Sequence, residues 1–150
     1  MKNLTPMESG IESAVLREML MMARAACKHA HAPYSHFHVG AAVLDHQGRI
    51  YSGCNVENSS FGLTVCAERN AIGAAVTGGA QRLRALVVYT PTEGLTAPCG
   101  ACRQVLADFG AELEVHLYNQ EGQHAFFSLA QLLPFHFELP APNSEAHKPA

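Results

Sequence analysis

The chain has 150 residues, enough for one domain with a buried core; 48% are hydrophobic and only 15% are charged, against roughly 25% in an average domain. Ten Lys and Arg against thirteen Asp and Glu leave a formal charge of −3 with no basic stripe, which excludes a polynucleotide binder. The most apolar early stretch, Met19 to Cys27, is short and interrupted by Arg24, so it is neither a signal peptide nor a membrane span, and a cytoplasmic protein is expected.

Thr5-Pro6-Met7-Glu8 has the capping-box pattern and predicts a helix from there to about His29, with Val15, Leu16, Met19, Leu20, Ala23 and Cys27 on its apolar side. Ala32-Pro33-Tyr34-Ser35 reads as an irregular loop. Phe37 to Leu44, a turn at Asp45-His46-Gln47-Gly48, and Arg49 to Val56 read as a hairpin. A second helix is predicted from Cys66 to Val76, stopped by Gly78-Gly79, then a strand from Leu83 to Thr90 and a loop from Pro91 to Pro98. A third helix follows from Cys99 to Phe109 with Gly110 beyond its end. Leu113 to Tyr118 and Ala125 to Phe127 are further strands around a turn at Asn119 to Gly122, and Ser128 is placed to cap a last short helix through Leu133. Residues 1–139 form one domain in this reading, and the Pro- and Ala-rich tail 140–150 is expected to be disordered.

This order predicts an α/β fold, a mixed sheet covered by helices. The segment from 66 to 110 has the length of a right-handed crossover unit, so its two helices should begin at the same end of the sheet. Low charge on a small domain also points to burial against other subunits.

Five cysteines, an odd number with no secretion signal, argue against a disulfide framework and for a metal or catalytic use. Cys66-Ala67-Glu68 opens the second helix and Pro98-Cys99-Gly100-Ala101-Cys102 the third. Three thiols therefore fall in first helical turns, where the partial positive charge favours thiolates. Three thiolates with one open position suit a catalytic Zn²⁺. Glu68, two residues from one ligand, can take a proton from metal-bound water, or can simply be an acidic residue favoured by the helix dipole. Arg69 opposes that dipole but would offset the net charge of a three-thiolate zinc; a solvated surface arginine is the plain alternative. The Cys99/Cys102 pair also fits a redox dithiol, and a structural zinc would need a fourth ligand from Cys54 or a histidine. The pairs His29/His31 and His36/His38 form no supported metal site, and Cys27 and Cys54 read as small buried hydrophobes.

From Pro33 to Phe137 the sequence resembles the homotetrameric zinc-dependent cytidine deaminase family. The resemblance is carried by Tyr34-Ser35-His36-Phe37-His38-Val39-Gly40-Ala41-Ala42, Gly53-Cys54-Asn55-Val56-Glu57-Asn58, Cys66-Ala67-Glu68-Arg69, Pro98-Cys99-Gly100-Ala101-Cys102-Arg103-Gln104 and Leu132-Leu133-Pro134. It implies a three-layer α-β-α sandwich on a roughly five-stranded mixed sheet. It also implies one Zn²⁺ per chain on Cys66, Cys99 and Cys102, and hydrolysis of cytidine and deoxycytidine to uridine and deoxyuridine with release of ammonia, as in pyrimidine salvage. In the implied reaction water attacks C4 of the ring while Glu68 relays a proton to N3 and then to the leaving amine.

The family pattern further implies that Phe37 packs on the pyrimidine and that Asn55 and Glu57 bind the ribose. An amide can donate and accept, and a carboxylate selects a hydroxyl donor. At i and i+2 on a strand the two side chains share a face. The Ala67 N–H matches the donor to the base carbonyl, and the Ala97 carbonyl matches the acceptor for the amino group. Phe61 and Phe137 match aromatic positions that enter a neighbouring subunit's site. His38 departs from a common proline and Phe61 from a common tyrosine. A deaminase for another aminopyrimidine nucleoside, of the blasticidin type, and a non-catalytic zinc module are the competing readings.

Overall fold

In a computed structural model, which describes residues 8–140, the expected hairpin forms from β1 (Gly40–Asp45) and β2 (Ile50–Cys54), paired antiparallel. Its turn works as the residue types require. Gly48 adopts φ 81°, and the Asp45 carboxylate accepts from the main-chain N–H groups of Gln47 and Arg49 and from Arg49 Nε at 2.7 Å. On its other edge β1 pairs antiparallel with β3 (Leu83–Tyr89). Then β3 pairs parallel with β4 (Glu114–Tyr118), and β4 pairs antiparallel with β5 (His124–Ser128). The sheet order is β2-β1-β3-β4-β5.

Alternation along the strands makes the layers. Ala42, Leu44, Ala85 and Val87 face α1 (Ser13–Cys27), which supplies Leu16, Met19 and Ala23. Ala41, Val43, Leu86 and Val88 face the opposite layer, built from α2 (Ala67–Thr77) and α3 (Gly100–Ala107) through Ala71, Ile72, Ala75 and Leu106. This is the expected three-layer α-β-α arrangement. Ser128 caps the short α4 (Leu129–Leu132) with a reciprocal pair, Gln131 N donating to its Oγ at 3.2 Å and its own N donating to Gln131 Oε1 at 2.8 Å.

Two expectations change. The first helix starts at Ser13, not near Pro6, and Glu8 lies before it; Thr5 to Met7 fall outside the described residues, as do residues 141–150 of the tail. The cause is a distant tether: Ser9 Oγ and Gly10 N donate to the Glu114 carboxylate on β4 at 2.6 and 2.7 Å, which fixes the chain before it coils. The crossover expected over 66–110 is part of two. Because β2 and β3 both run antiparallel to β1, they are parallel to each other, so α2 and α3 each connect parallel strands. Both helices start at the carboxyl ends of strands, at one end of the sheet.

Gly53 lets α2 approach that end closely. A Cβ there would stand 2.8 Å from the Ala67 carbonyl oxygen, in the first turn of the helix. The Asn70 side chain ties the same turn to the sheet by donating to the Cys54 carbonyl at 2.8 Å.

In the middle of β4, fully buried His116 links Glu114 to His124, with Nε2 2.9 Å from Glu114 Oε2 and Nδ1 3.0 Å from His124 Nε2. Burial pushes the His116 imidazole below its ordinary 6.5, with Glu114 only partly offsetting this, and burial also lowers His124. Both therefore take up protons more readily in the unfolded chain. For the fully buried His116, stability is full above 6.5 and falls as pH drops below it, by up to about 1.4 kcal/mol per pH unit until the folded-state pKa is passed. Urea titrations of His116→Asn should show a shallower loss of stability between pH 6.5 and 5 than the parent chain. An unchanged slope would contradict the assignment.

Candidate active site

Cysteine is an unusual N-cap, yet both α2 and α3 have one. Cys66 and Cys99 adopt the extended conformation of a cap, with ψ of 154° and 166°, and neither side chain makes a capping hydrogen bond. The sulfurs turn to each other instead, with Cys66 Sγ 3.8 Å from Cys99 Sγ. Cys102 occupies the third helical position of α3, one turn on and therefore on the same side as its N-cap. The three Sγ atoms lie within 4.8 Å of one another, and no fourth ligand joins the group among the described residues. Tetrahedral thiolates about 2.3 Å from a Zn²⁺ stand about 3.8 Å apart, so the donor set fits zinc with one position left for another ligand.

Hydrogen bonding from the Cys102 thiol, and then from Arg69 and Cys99, pulls the Cys66 thiol down to about 5; Cys102, as the donor, is pushed up. Arg69 is half-buried rather than solvated. Its Nη2 approaches Cys66 Sγ at 3.6 Å and the Thr64 carbonyl at 3.4 Å, while its Nε is buried without a partner. A buried orphan donor is costly, and the nearby thiolate charge is what offsets it. Glu68 is 5% exposed, and burial, followed by the Cys66 charge, raises its carboxyl above the usual carboxylate range.

These groups open into a cavity of about 270 Å³ lined by Phe37, Asn55, Glu57, Ala67, Glu68 and Ala97 together with Cys66 and Cys99. Phe37 is 40% exposed. Asn55 and Glu57 lie just past β2 in extended chain, where Val56 bridges to His31 and Val65, and both side chains reach the cavity as their spacing predicts. Asn55 is already engaged: its Oδ1 accepts from Val39 N at 2.9 Å and its Nδ2 donates to the Phe37 carbonyl at 2.8 Å. The Glu57 carboxylate accepts from Tyr34 N at 2.9 Å, Ser35 N at 3.3 Å and the Ser35 hydroxyl. The Ser35 bond and then the two N–H groups hold its pKa below the usual range. Ser35, Val39, Thr64 and Thr96 also line the cavity, although residue types alone assigned them no role.

Phe61 and Phe137 do not line this cavity. Phe61, on a single 3₁₀ turn (Phe61–Leu63), is 73% exposed and meets the Tyr34 ring edge-on at 5.6 Å. Phe137 is 67% exposed, and the Gln104 side chain holds its main chain with bonds of 3.0 and 3.4 Å. Cys27 is buried as expected, whereas Cys54 is half-buried. The paired histidines join no metal-ligating group among the described residues, and no helix there is long and apolar enough to cross a membrane.

Residues 14–117 match the family model for the cytidine and deoxycytidylate deaminase zinc-binding region. The chain belongs to this family. It is 44% identical over 120 residues to the cytidine deaminase of Sporosarcina psychrophila, covering 79% of this chain and 88% of that protein. The crystal structure of cytidine deaminase from Burkholderia pseudomallei superposes with a TM-score of 0.77 at 44% identity, over 81% of this chain and 98% of that one. That from Mycobacterium tuberculosis gives 0.73 at 40% identity, over 83% and 98%. The deaminase domain is thus a zinc-binding one, and the three cysteines are positioned to hold the ion. Metal analysis after dialysis against chelator should find about one zinc per chain in the parent and less than about a tenth of that in Cys102→Ala. Equal retention would contradict the three-cysteine site.

Proposed function

We propose that the chain is a cytidine deaminase, hydrolysing cytidine and deoxycytidine to uridine and deoxyuridine with release of ammonia. The observation that carries this reading is the placement of buried Glu68 beside the three sulfurs, in the same cavity as an aromatic ring and a hydroxyl-accepting carboxylate. Zinc bound by Cys66, Cys99 and Cys102 supplies Lewis-acid activation of water.

The chain's own groups do the rest. Phe37 packs on the pyrimidine, the Ala67 N–H at the start of α2 donates to the ring carbonyl, and the Ala97 carbonyl accepts from the amino group. Glu57 accepts a sugar hydroxyl, and Asn55 completes the sugar side while pinning the main chain of Phe37 and Val39. Glu68 carries a proton first to N3 and then to the leaving amine, so water adds at C4 and ammonia departs with the balance of protons. Arg69 offsets the charge of the thiolates without meeting substrate. The Asn55 and Glu57 pair favours an ordinary sugar over a modified nucleoside.

A homotetramer in the cytoplasm completes the proposal, with Phe61 and Phe137 reaching neighbouring sites. Its support is the low charge of the chain and the exposure of Phe61, Phe135, Phe137 and Leu139. Pyrimidine salvage is the role that such a reaction serves.

Glu68→Ala tests the proton relay. Turnover of cytidine should fall by about 10²–10⁴-fold while zinc content stays at about one per chain. Activity near that of the parent would refute the assignment.

A further inference from the structure

Ser35 lies at the junction of the sugar and base sides of the cavity and bonds to both. Its hydroxyl donates to Glu57 Oε1 and accepts from Phe37 N at 3.0 Å. The two N–H groups of Tyr34 and Ser35 occupy Glu57 Oε2. A carboxylate oxygen has two lone pairs, so the acceptor site left for a ligand is the second lone pair of Oε1, beside the Ser35 hydroxyl. That hydroxyl therefore fixes where the free lone pair points.

The same serine stabilises an uncommon backbone state. His36, between Ser35 and Phe37, has φ 57°, in the left-handed region where a residue with a Cβ is disfavoured. The Ser35 hydroxyl closes the turn around it by receiving Phe37 N, and His36 N donates to the Ala32 carbonyl at 3.0 Å. The bend presents Phe37 and Val39 to the cavity, while Asn55 holds the far side of the segment.

We propose that Ser35 is the positioning residue through which this enzyme selects for the sugar hydroxyl, by orienting the Glu57 carboxylate relative to the base-packing Phe37. This rests on the reading of Glu57 as the sugar acceptor. Ser35 needs no contact with substrate, because it acts through Glu57. Losing it releases the carboxylate from its alignment and relaxes the turn, so the enzyme loses the advantage it draws from a hydroxyl-bearing sugar more than it loses base recognition.

The readout is the ratio of kcat/KM for cytidine to that for 2′,3′-dideoxycytidine, which lacks both ring hydroxyls. In Ser35→Ala the ratio should drop by about tenfold, with the cytidine loss carried mainly in KM, and Ser35→Thr, which keeps the hydroxyl, should restore it. Glu57→Gln is measured in parallel, and zinc content and circular dichroism establish that each variant is folded. If Ser35→Ala does not fold, Ser35→Cys keeps the size with only a weak donor and should lower the ratio in the same direction. A lower ratio in Glu57→Gln with an unchanged ratio in the folded Ser35 variant overturns the role of Ser35 and leaves Glu57 as sugar acceptor. Unchanged ratios in both overturn the sugar-acceptor reading and this proposal with it.

Discussion

Because β2 and β3 both run antiparallel to β1, α2 and α3 must begin at the same end of the sheet, and their N-cap cysteines come to face each other with sulfurs 3.8 Å apart. The rest of the site depends on that constraint. Cys102 joins because the third residue of a helix lies on the side of its N-cap. Glu68 joins because it follows Cys66 into α2, and there the packed interior raises its carboxyl. The close approach at Gly53 and the bond from Asn70 to Cys54 keep α2 seated where its sulfur meets those of α3. Free N–H groups at both helix starts add to the attraction for thiolates, and Arg69 adds a full charge beside Cys66.

Across the cavity from this rigid cluster stands a hydrogen-bonded loop. The segment before β1 would be free to move were it not tied to the chain after β2: Asn55 holds Phe37 and Val39, while Glu57 holds Tyr34 and Ser35. The Phe37 and Glu57 sides of the cavity are thus parts of one network, and neither can shift alone. Three cysteines on helix starts and a cavity wall on bonded loops are the division of labour expected when reacting atoms must be fixed and a ligand must still enter.

The zinc cluster was legible from sequence because its information is local. A cysteine at an N-cap and another three residues on share a side by helical geometry alone, and the relation between α2 and α3 needed only the order of elements. The order of elements predicted a mixed sheet covered by helices, and the three-layer sandwich came with the family resemblance, because β1, buried along its whole length, shows no polar alternation to assign its faces. What distance in sequence hides was missed: α1 starts late because of Glu114, 104 residues from the Gly10 that bonds to it. Residue types placed Asn55 and Glu57 on one face but did not show that the Asn55 amide is already engaged. Ser35 stood in the quoted motif without a role, since nothing local tells a turn-capping serine from one that also holds a carboxylate 22 residues on.

The central claim is that these parts make a zinc-dependent deaminase acting on the free nucleoside. The most direct test incubates the purified chain with cytidine and follows the ultraviolet change and ammonia release, with zinc measured on the same sample. The expected result is one ammonia for each uridine formed, by protein carrying about one zinc per chain. Folded, zinc-loaded protein that turned over neither cytidine nor deoxycytidine would contradict it.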